Sequence, residues 1–291
     1  MASIYLKPLK AKAVNHTKEM DEKFKKEIEN SVKKTKIYGG DDGLTPKKHI
    51  EDTVECNIVL DKLDSVKSLF SHKNGKTAVL NFASYKNPGG KFFEGSAAQE
   101  ESLCHSSNLY NILKEFPKDY EWNKKHNNRA LYTNRALYTE DVLFLDDSVC
   151  VYGADPVEIK ADVITCAAPN YSAAGKYAKV DYEENEAILA ERIKFVLDVA
   201  EDNGVETLIL GAFGCGVFGQ DALTVAKYFK RYLHNGGYHF KNVYFSIPNR
   251  GRDGNYNMFK LIFGWDISLK YIFYFLVEYN WKLIVKAISF F

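Results

Sequence analysis

With 291 residues the chain has room for one large domain or two small ones. Its 46% hydrophobic and 26% charged residues lie near the globular average, so a sizeable core is expected. A formal net charge of +1 excludes a surface built for nonspecific nucleic-acid binding. The five scattered cysteines form no Cys-x-x-Cys pair, which argues against a disulfide framework or a structural zinc site and for a reducing compartment. The expected location is intracellular and cytoplasmic, or nuclear in a eukaryotic cell, with no stable nucleic-acid or membrane partner.

The N-terminus does not read as a signal peptide, because Lys7 and Lys10 interrupt its apolar residues. Between Lys7 and Lys36 there are ten lysines and five acidic residues. Lys and Glu recur there at helical spacing with few apolar anchors (Phe24, Ile28, Val32), which predicts a mostly solvated helical arm. Gly39-Gly-Asp-Asp-Gly43 and Pro46 read as a linker, so residues 1–48 are taken as a basic extension. Strands are expected over Val54–Leu60 and Thr77–Ala83, with a short helix over Leu63–Phe70 between them. Ala98–Leu113 reads as one helix, and Val142–Leu145 with Val149–Tyr152 as a hairpin. Asp162–Ala168 is a buried-looking strand. In Glu183–Asn203, Ile188, Leu189, Ile193, Val196, Leu197 and Ala200 repeat at a period of 3.6, and Gly204 supplies the stop. A strand over Thr207–Ala212, a helix over Asp221–His234 and a strand over Val243–Ile247 follow. The pentapeptide Arg-Ala-Leu-Tyr-Thr occurs twice, at 129–133 and 135–139, too short a duplication for a repeat architecture. From Gly264 to Phe291 the chain is apolar but broken by Lys270, Glu278, Lys282 and Lys286. This tail reads as a packed terminal helix, with an interfacial anchor or a frameshifted tail as the alternatives.

Strands alternating with helices imply an α/β sandwich around a mixed, mostly parallel sheet, with the chemistry at the carboxyl ends of the strands. Two loops stand at such ends. The first follows Val79-Leu-Asn-Phe-Ala83 and runs through Asn87-Pro-Gly-Gly90 to Gln99-Glu-Glu101 at a helix start. Glycine there lets the backbone approach a ligand, and Glu100 and Glu101 fall in the first helical turn. Alone, such carboxylates only complement the helix dipole. The second loop, Phe213-Gly-Cys-Gly-Val-Phe-Gly219, precedes another helix and forms a nest of backbone donors suited to a diphosphate, with Phe218 placed to stack on a sugar or base. No Walker lysine and no G-x-G-x-x-G spacing is present, which disfavours an NTPase or a dinucleotide oxidoreductase. Cys215, His105, His234 and His239 read as packing or surface residues, since none has an activating or metal-spaced partner in sequence.

Taken together the loops resemble the signature of the microbial-type poly(ADP-ribose) glycohydrolases, in which a macrodomain carries a glycine run followed by Gln-Glu-Glu. Leu137-Tyr-Thr, Val142-Leu-Phe-Leu-Asp-Asp147, Ala167-Ala-Pro-Asn170, Leu210-Gly-Ala-Phe-Gly-Cys-Gly-Val-Phe-Gly219 and Phe245-Ser-Ile-Pro-Asn249 extend the resemblance, in order, over residues 50–263. It implies a macrodomain-like three-layer sandwich over residues 49–263 and a tail from 264 to 291. It also implies hydrolysis of ribose–ribose glycosidic bonds in poly(ADP-ribose) without metal or cofactor, ADP-ribose on modified macromolecules being the partner. By that resemblance Glu101 is the catalytic acid/base and Glu100 orients ribose hydroxyls. Asn81, Asn87, Gly89, Gly90 and Gln99 lie about the scissile ribose; Gly214, Cys215, Gly216 and Val217 cradle the diphosphate; Phe218 faces the ribose. Phe245 is the candidate for bounding the adenine. The family's third consecutive glycine is Lys91 here, which adds bulk and charge beside the pocket. Desolvation and the charge of Glu100 are expected to keep Glu101 protonated. Two readings stay open beside this one: hydrolysis of mono-ADP-ribose from protein or nucleic acid, and a non-catalytic ADP-ribose reader.

Overall fold

The computed structural model describes residues 2–47, 55–147, 155–249 and 254–264. Its strands are β1 (Lys36–Gly39), β2 (Asn57–Asp61), β3 (Thr77–Phe82), β4 (Arg135–Asp146), β5 (Val157–Cys166), β6 (Thr207–Leu210) and β7 (Asn242–Ser246). They form one sheet in the order β1-β4-β5-β3-β6-β7-β2. The β5-β3-β6-β7-β2 portion is parallel, and β1 and β4 run antiparallel at one edge. The helices are α1 (Ala2–Lys23), α2 (Lys25–Lys34), α3 (Ser65–His72), α4 (Gln99–His105), α5 (Leu109–Leu113), α6 (Pro117–Lys125), α7 (Tyr171–Ala178), α8 (Tyr182–Asp202), α9 (Ala222–Asn235) and α10 (Asn255–Phe263). Among the described residues no helix is long and apolar enough to cross a membrane. The tail from 265 and the expected strand Val149–Tyr152 lie outside the described residues.

The three layers follow from the two-residue period of the central strands. Ala78 and Leu80 face one side and join Ile164, Leu208, Leu210 and Phe245 under α8, α9 and α10. Val79 faces the other, with Val163 and Ile209, and packs with Leu69, Leu103, Leu109 and Ile112. Asn81 shares the parity of Val79, so the sheet itself aims this buried amide toward the α4 side. Helix α8 starts where the Asp181 side chain accepts the Glu184 N–H at 2.8 Å. It stops before Gly204, where the Val205 N–H returns to the Ala200 carbonyl.

The arm is solvated along most of its length, as expected, but its few apolar residues anchor it: Ala13, Met20 and Ile28 are buried in the α4-side core, and Phe24 and Val32 pack against it. The His16 ring Nε2 lies 2.8 Å from the Ser107 carbonyl, and the arm leads directly into β1. The single helix expected over Ala98–Leu113 is two, because Ser107 and Asn108 leave the helical path to join the sheet. The Asn108 N–H donates to the Leu143 carbonyl, and its Oδ1 accepts the Leu143 N–H. The two copies of Arg-Ala-Leu-Tyr-Thr diverge. The second copy opens β4, whereas in the first Arg129, Ala130 and Tyr132 have positive φ.

Candidate active site

Parallel strands β3 and β6 end side by side, and the two glycine-bearing loops leave from those ends. Behind β3, residues 83–98 turn back to deliver α4. Its first residue, Gln99, fixes it in place: Nε2 donates to the Leu80 carbonyl at 2.8 Å and to Ser65 Oγ at 3.0 Å, while Oε1 accepts the Phe82 N–H at 2.8 Å. Gln99, expected among the ligand-binding residues, thus spends its amide on tying α4 to β3. With α4 so held, Glu100 and Glu101 enter the interior, 3% and 6% exposed.

Each carboxylate has its own donors. Glu100 Oε2 accepts the Ser84 N–H at 2.7 Å, and Oε1 lies 3.4 Å from Asn81 Nδ2. Asn81 Nδ2 also reaches Thr165 Oγ1 at 3.3 Å, its register partner on β5. Glu101 Oε1 accepts the Lys91 N–H at 2.8 Å. Among the described residues no hydrogen bond is recorded for Glu101 Oε2. Gly90 lies between the two carboxylates with φ +59°: a Cβ there would stand 2.7 Å from Glu100 Oε2 and 2.8 Å from Glu101 Oε1. The loop can pass only because the residue is glycine.

This crowding has an electrostatic result. Burial, followed by the neighbouring Glu101 charge, pushes the Glu100 carboxyl from 4.5 up to about 8 against the opposing donors. Glu100 therefore holds a proton at neutral pH. The carboxyl raised by desolvation is that of Glu100, the more deeply enclosed of the two. Burial also pushes the Cys104 thiol on the same helix well up, making it a core residue.

The second loop bonds to itself through Cys215 N–H to Ala212 O, Gly219 N–H to Gly216 O, and Gln220 N–H to Gly214 O. Among the described residues no backbone carbonyl takes the N–H of Gly216, Val217 or Phe218. Val217 is 87% exposed and a Cβ at Gly216 would meet nothing within 4 Å, so this apex is open to a ligand. Gly214 at its base has φ +77°, and a Cβ there would stand 2.7 Å from Ala168 Cβ. Phe218 is half-buried against Tyr85, Tyr132 and Ala167, which joins the second loop to the first. An open pocket of about 210 Å³ is lined by Ser65, Phe82, Gln99, Ala212 and Ser246 among others.

The structure thus brings Asn81, Gly89, Gly90, Gln99, Glu100 and Glu101 together. Asn87 sits exposed on the turn, its carbonyl accepting the Gly90 N–H. Phe245 does not bound a ligand site: it is fully buried among Phe229, Phe259 and Phe263. Lys91 turns its side chain outward, 70% exposed and 3.8 Å from Glu94 Oε2, and presents only its N–H to the pair. Ser84 and Thr165 escaped sequence reasoning. A signal for Thr165 lay in its parity, since it faces the same side as Asn81 on the adjacent strand.

A buried glutamate pair and an open glycine-rich loop at the carboxyl edge of this α/β sandwich define a macrodomain-like protein. Residues 4–147 match the model of the microbial-type poly(ADP-ribose) glycohydrolase catalytic domain. The poly(ADP-ribose) glycohydrolase of Thermomonospora curvata superimposes with a TM-score of 0.75, at 26% identity over 88% of this chain and 99% of that one. Its complex with the inhibitor ADP-HPD gives 0.73 over the same shares. The enzyme from Deinococcus radiodurans in complex with ADP-ribose gives 0.69, at 26% identity over 81% of this chain and 97% of that one. No curated protein sequence matches. The chain is similar to the microbial-type poly(ADP-ribose) glycohydrolases, and the family match takes in the arm from residue 4.

Proposed function

We propose that the chain hydrolyses the ribose–ribose bonds of poly(ADP-ribose), releasing ADP-ribose, with Glu101 as general acid/base. The observation that carries this is the buried carboxylate pair around Gly90, one member of which keeps its proton at neutral pH. In this reading the exposed Gly216–Phe218 amides hold the diphosphate and Phe218 faces a ribose. The pocket beyond Phe82 takes the adenosine end. Binding energy from these parts sets the anomeric carbon beside Glu101 Oε2, the oxygen not engaged by Lys91.

Cleavage generates an oxocarbenium-like ribose. The glycosidic C–O bond breaks as the proton held by the pair passes through Glu101 to the leaving oxygen. Water then attacks the anomeric carbon and returns a proton to the pair. Glu100, held by the Ser84 N–H and Asn81, is the group from which that proton is drawn and orients the ribose hydroxyls.

The test compares wild type with Glu101→Gln for ADP-ribose release from poly(ADP-ribosyl)ated protein, with calorimetric binding of ADP-ribose to both. Release by wild type alone, with binding retained in both, is expected. An active Glu101→Gln would overturn the acid/base assignment. Binding without release by wild type would make the domain a reader or direct the search to mono-ADP-ribosylated protein and nucleic acid.

A further inference from the structure

A small cavity lies at the start of the first loop, beside the residues that hold Glu100. Ser84, Tyr85, Tyr120, Asn123, Arg135 and Thr165 line it with others, and about 20 Å³ is open to the centre of a water molecule. A single water needs roughly 10–15 Å³ and two to four polar partners. Three lining residues carry a buried polar atom without a partner among the described residues: Tyr120 Oη, Asn123 Oδ1 and Arg135 Nε. Tyr120 and Arg135 are only 4% and 5% exposed. The remaining polar atoms of these residues are engaged. Arg135 gives Nη1 to the Gly39 carbonyl and Asp42, and Nη2 to Asp119, while Asn123 Nδ2 donates to the Tyr85 carbonyl. Residues lining a space of one water therefore carry two donors and one acceptor without partners, and leaving them unmet would cost each its full desolvation penalty.

The wall between this cavity and Glu100 consists of the residues that hold Glu100. Ser84 lines the cavity and donates its N–H to Glu100 Oε2. Thr165 lines it and accepts from Asn81, whose amide also reaches Glu100 Oε1. We infer that the cavity holds one ordered water fixed by Tyr120, Asn123 and Arg135, and that this water supports the Glu100 anion through the Ser84 and Thr165 side of its hydrogen-bond shell, which makes Tyr120 a positioning residue for the pair. The inference rests on the glutamate pair being the catalytic one.

The groups around Glu100 set the sign of the effect. Glu101 and Cys104 face it from its own helix, and Asp119, Tyr120 and Tyr110 belong to the same buried cluster on α6 and α5, with the Arg135 cation on β4. Burial and then the Glu100 charge hold the Tyr120 hydroxyl in its protonated form, so it remains a donor. Removing that donor makes ionisation of Glu100 costlier and moves its titration upward.

The experiment uses the whole chain. A crystal structure of the wild type should show one water bonded to Tyr120 Oη and Asn123 Oδ1; a dry cavity overturns the inference without any variant having to fold. The Glu100 carboxyl is then titrated by ¹³C NMR on glutamate-labelled wild type and Tyr120→Phe, with Glu100→Gln for assignment. An upward move of about half a pH unit or more is expected, and the alkaline limb of the kcat profile should follow it. An unchanged midpoint in a folded Tyr120→Phe overturns the positioning role. Neither the water nor the NMR titration requires substrate, so a chain that released no ADP-ribose would sink the proposed function and leave this test intact.

Discussion

Glu100→Gln should make the protein more stable, and the gain should grow with pH. The folded-state carboxyl titrates at about 8 against an ordinary value of 4.5. A group raised in this way binds more protons folded than unfolded between those values. Stability is therefore full at or below about pH 4.5 and falls as pH rises toward 8. At about 1.4 kcal/mol per unit, the 3.5-unit gap (8 − 4.5) sets an upper bound of roughly 5 kcal/mol above pH 8. Glutamine keeps the size of the protonated acid and an oxygen to accept the Ser84 N–H, but its amide must find a place near Glu101, which removes part of the gain. The expected advantage is near zero at pH 5 and roughly 2–4 kcal/mol at pH 9. Urea unfolding of both proteins at pH 5, 7 and 9 reads it directly from midpoint and slope. A gap that is the same at all three pH values would refute the assignment of the retained proton to Glu100.

Three further outcomes follow from the same geometry. Catalytic turnover should fall as pH rises through about 8, because the pair then loses the proton it donates; a profile flat to pH 10 contradicts this. Gly90→Ala places a methyl against both carboxylates at positive φ, so turnover should drop at least tenfold with a stability cost of roughly 1–3 kcal/mol, measured by kinetics and thermal melts. In the second loop Gly214→Ala should cost a similar amount through its contact with Ala168. Gly216→Ala, facing open space, should change stability by less than about 0.5 kcal/mol.

What could be read from the sequence was what local pattern controls. The α8 period, the Asp181 cap and the Gly204 stop are all contained in one stretch, and the helix falls within a residue of its expected ends. The first glycine loop and its acids are legible because they are contiguous. Resisting elements depend on distant partners. Strand β1 is four residues at the end of a lysine-rich arm, and only pairing with β4 a hundred residues later makes it a strand. The α4–α5 break exists because Asn108 meets Leu143. The cavity beside the residues that hold Glu100 draws on Ser84, Tyr120, Arg135 and Thr165, four elements with no common motif. Gln99 belongs to the recognised motif, yet its work on Leu80 and Phe82 could be seen only with the strand in place.

The duplicated pentapeptide has a consequence for how the chain reaches its native state. The two copies are six residues apart, an even number, so a slip that substituted the first for the second would put identical side chains on the same faces of the sheet. Hydrophobic alternation therefore does not discriminate between the two registers. Discrimination falls to unlike surroundings: Arg135 reaches a buried berth between Asp42 and Asp119, whereas Arg129 meets Glu184 at the surface. The ion pairs of Arg135 therefore carry the information that separates the two registers, a task the repeated side chains leave undone.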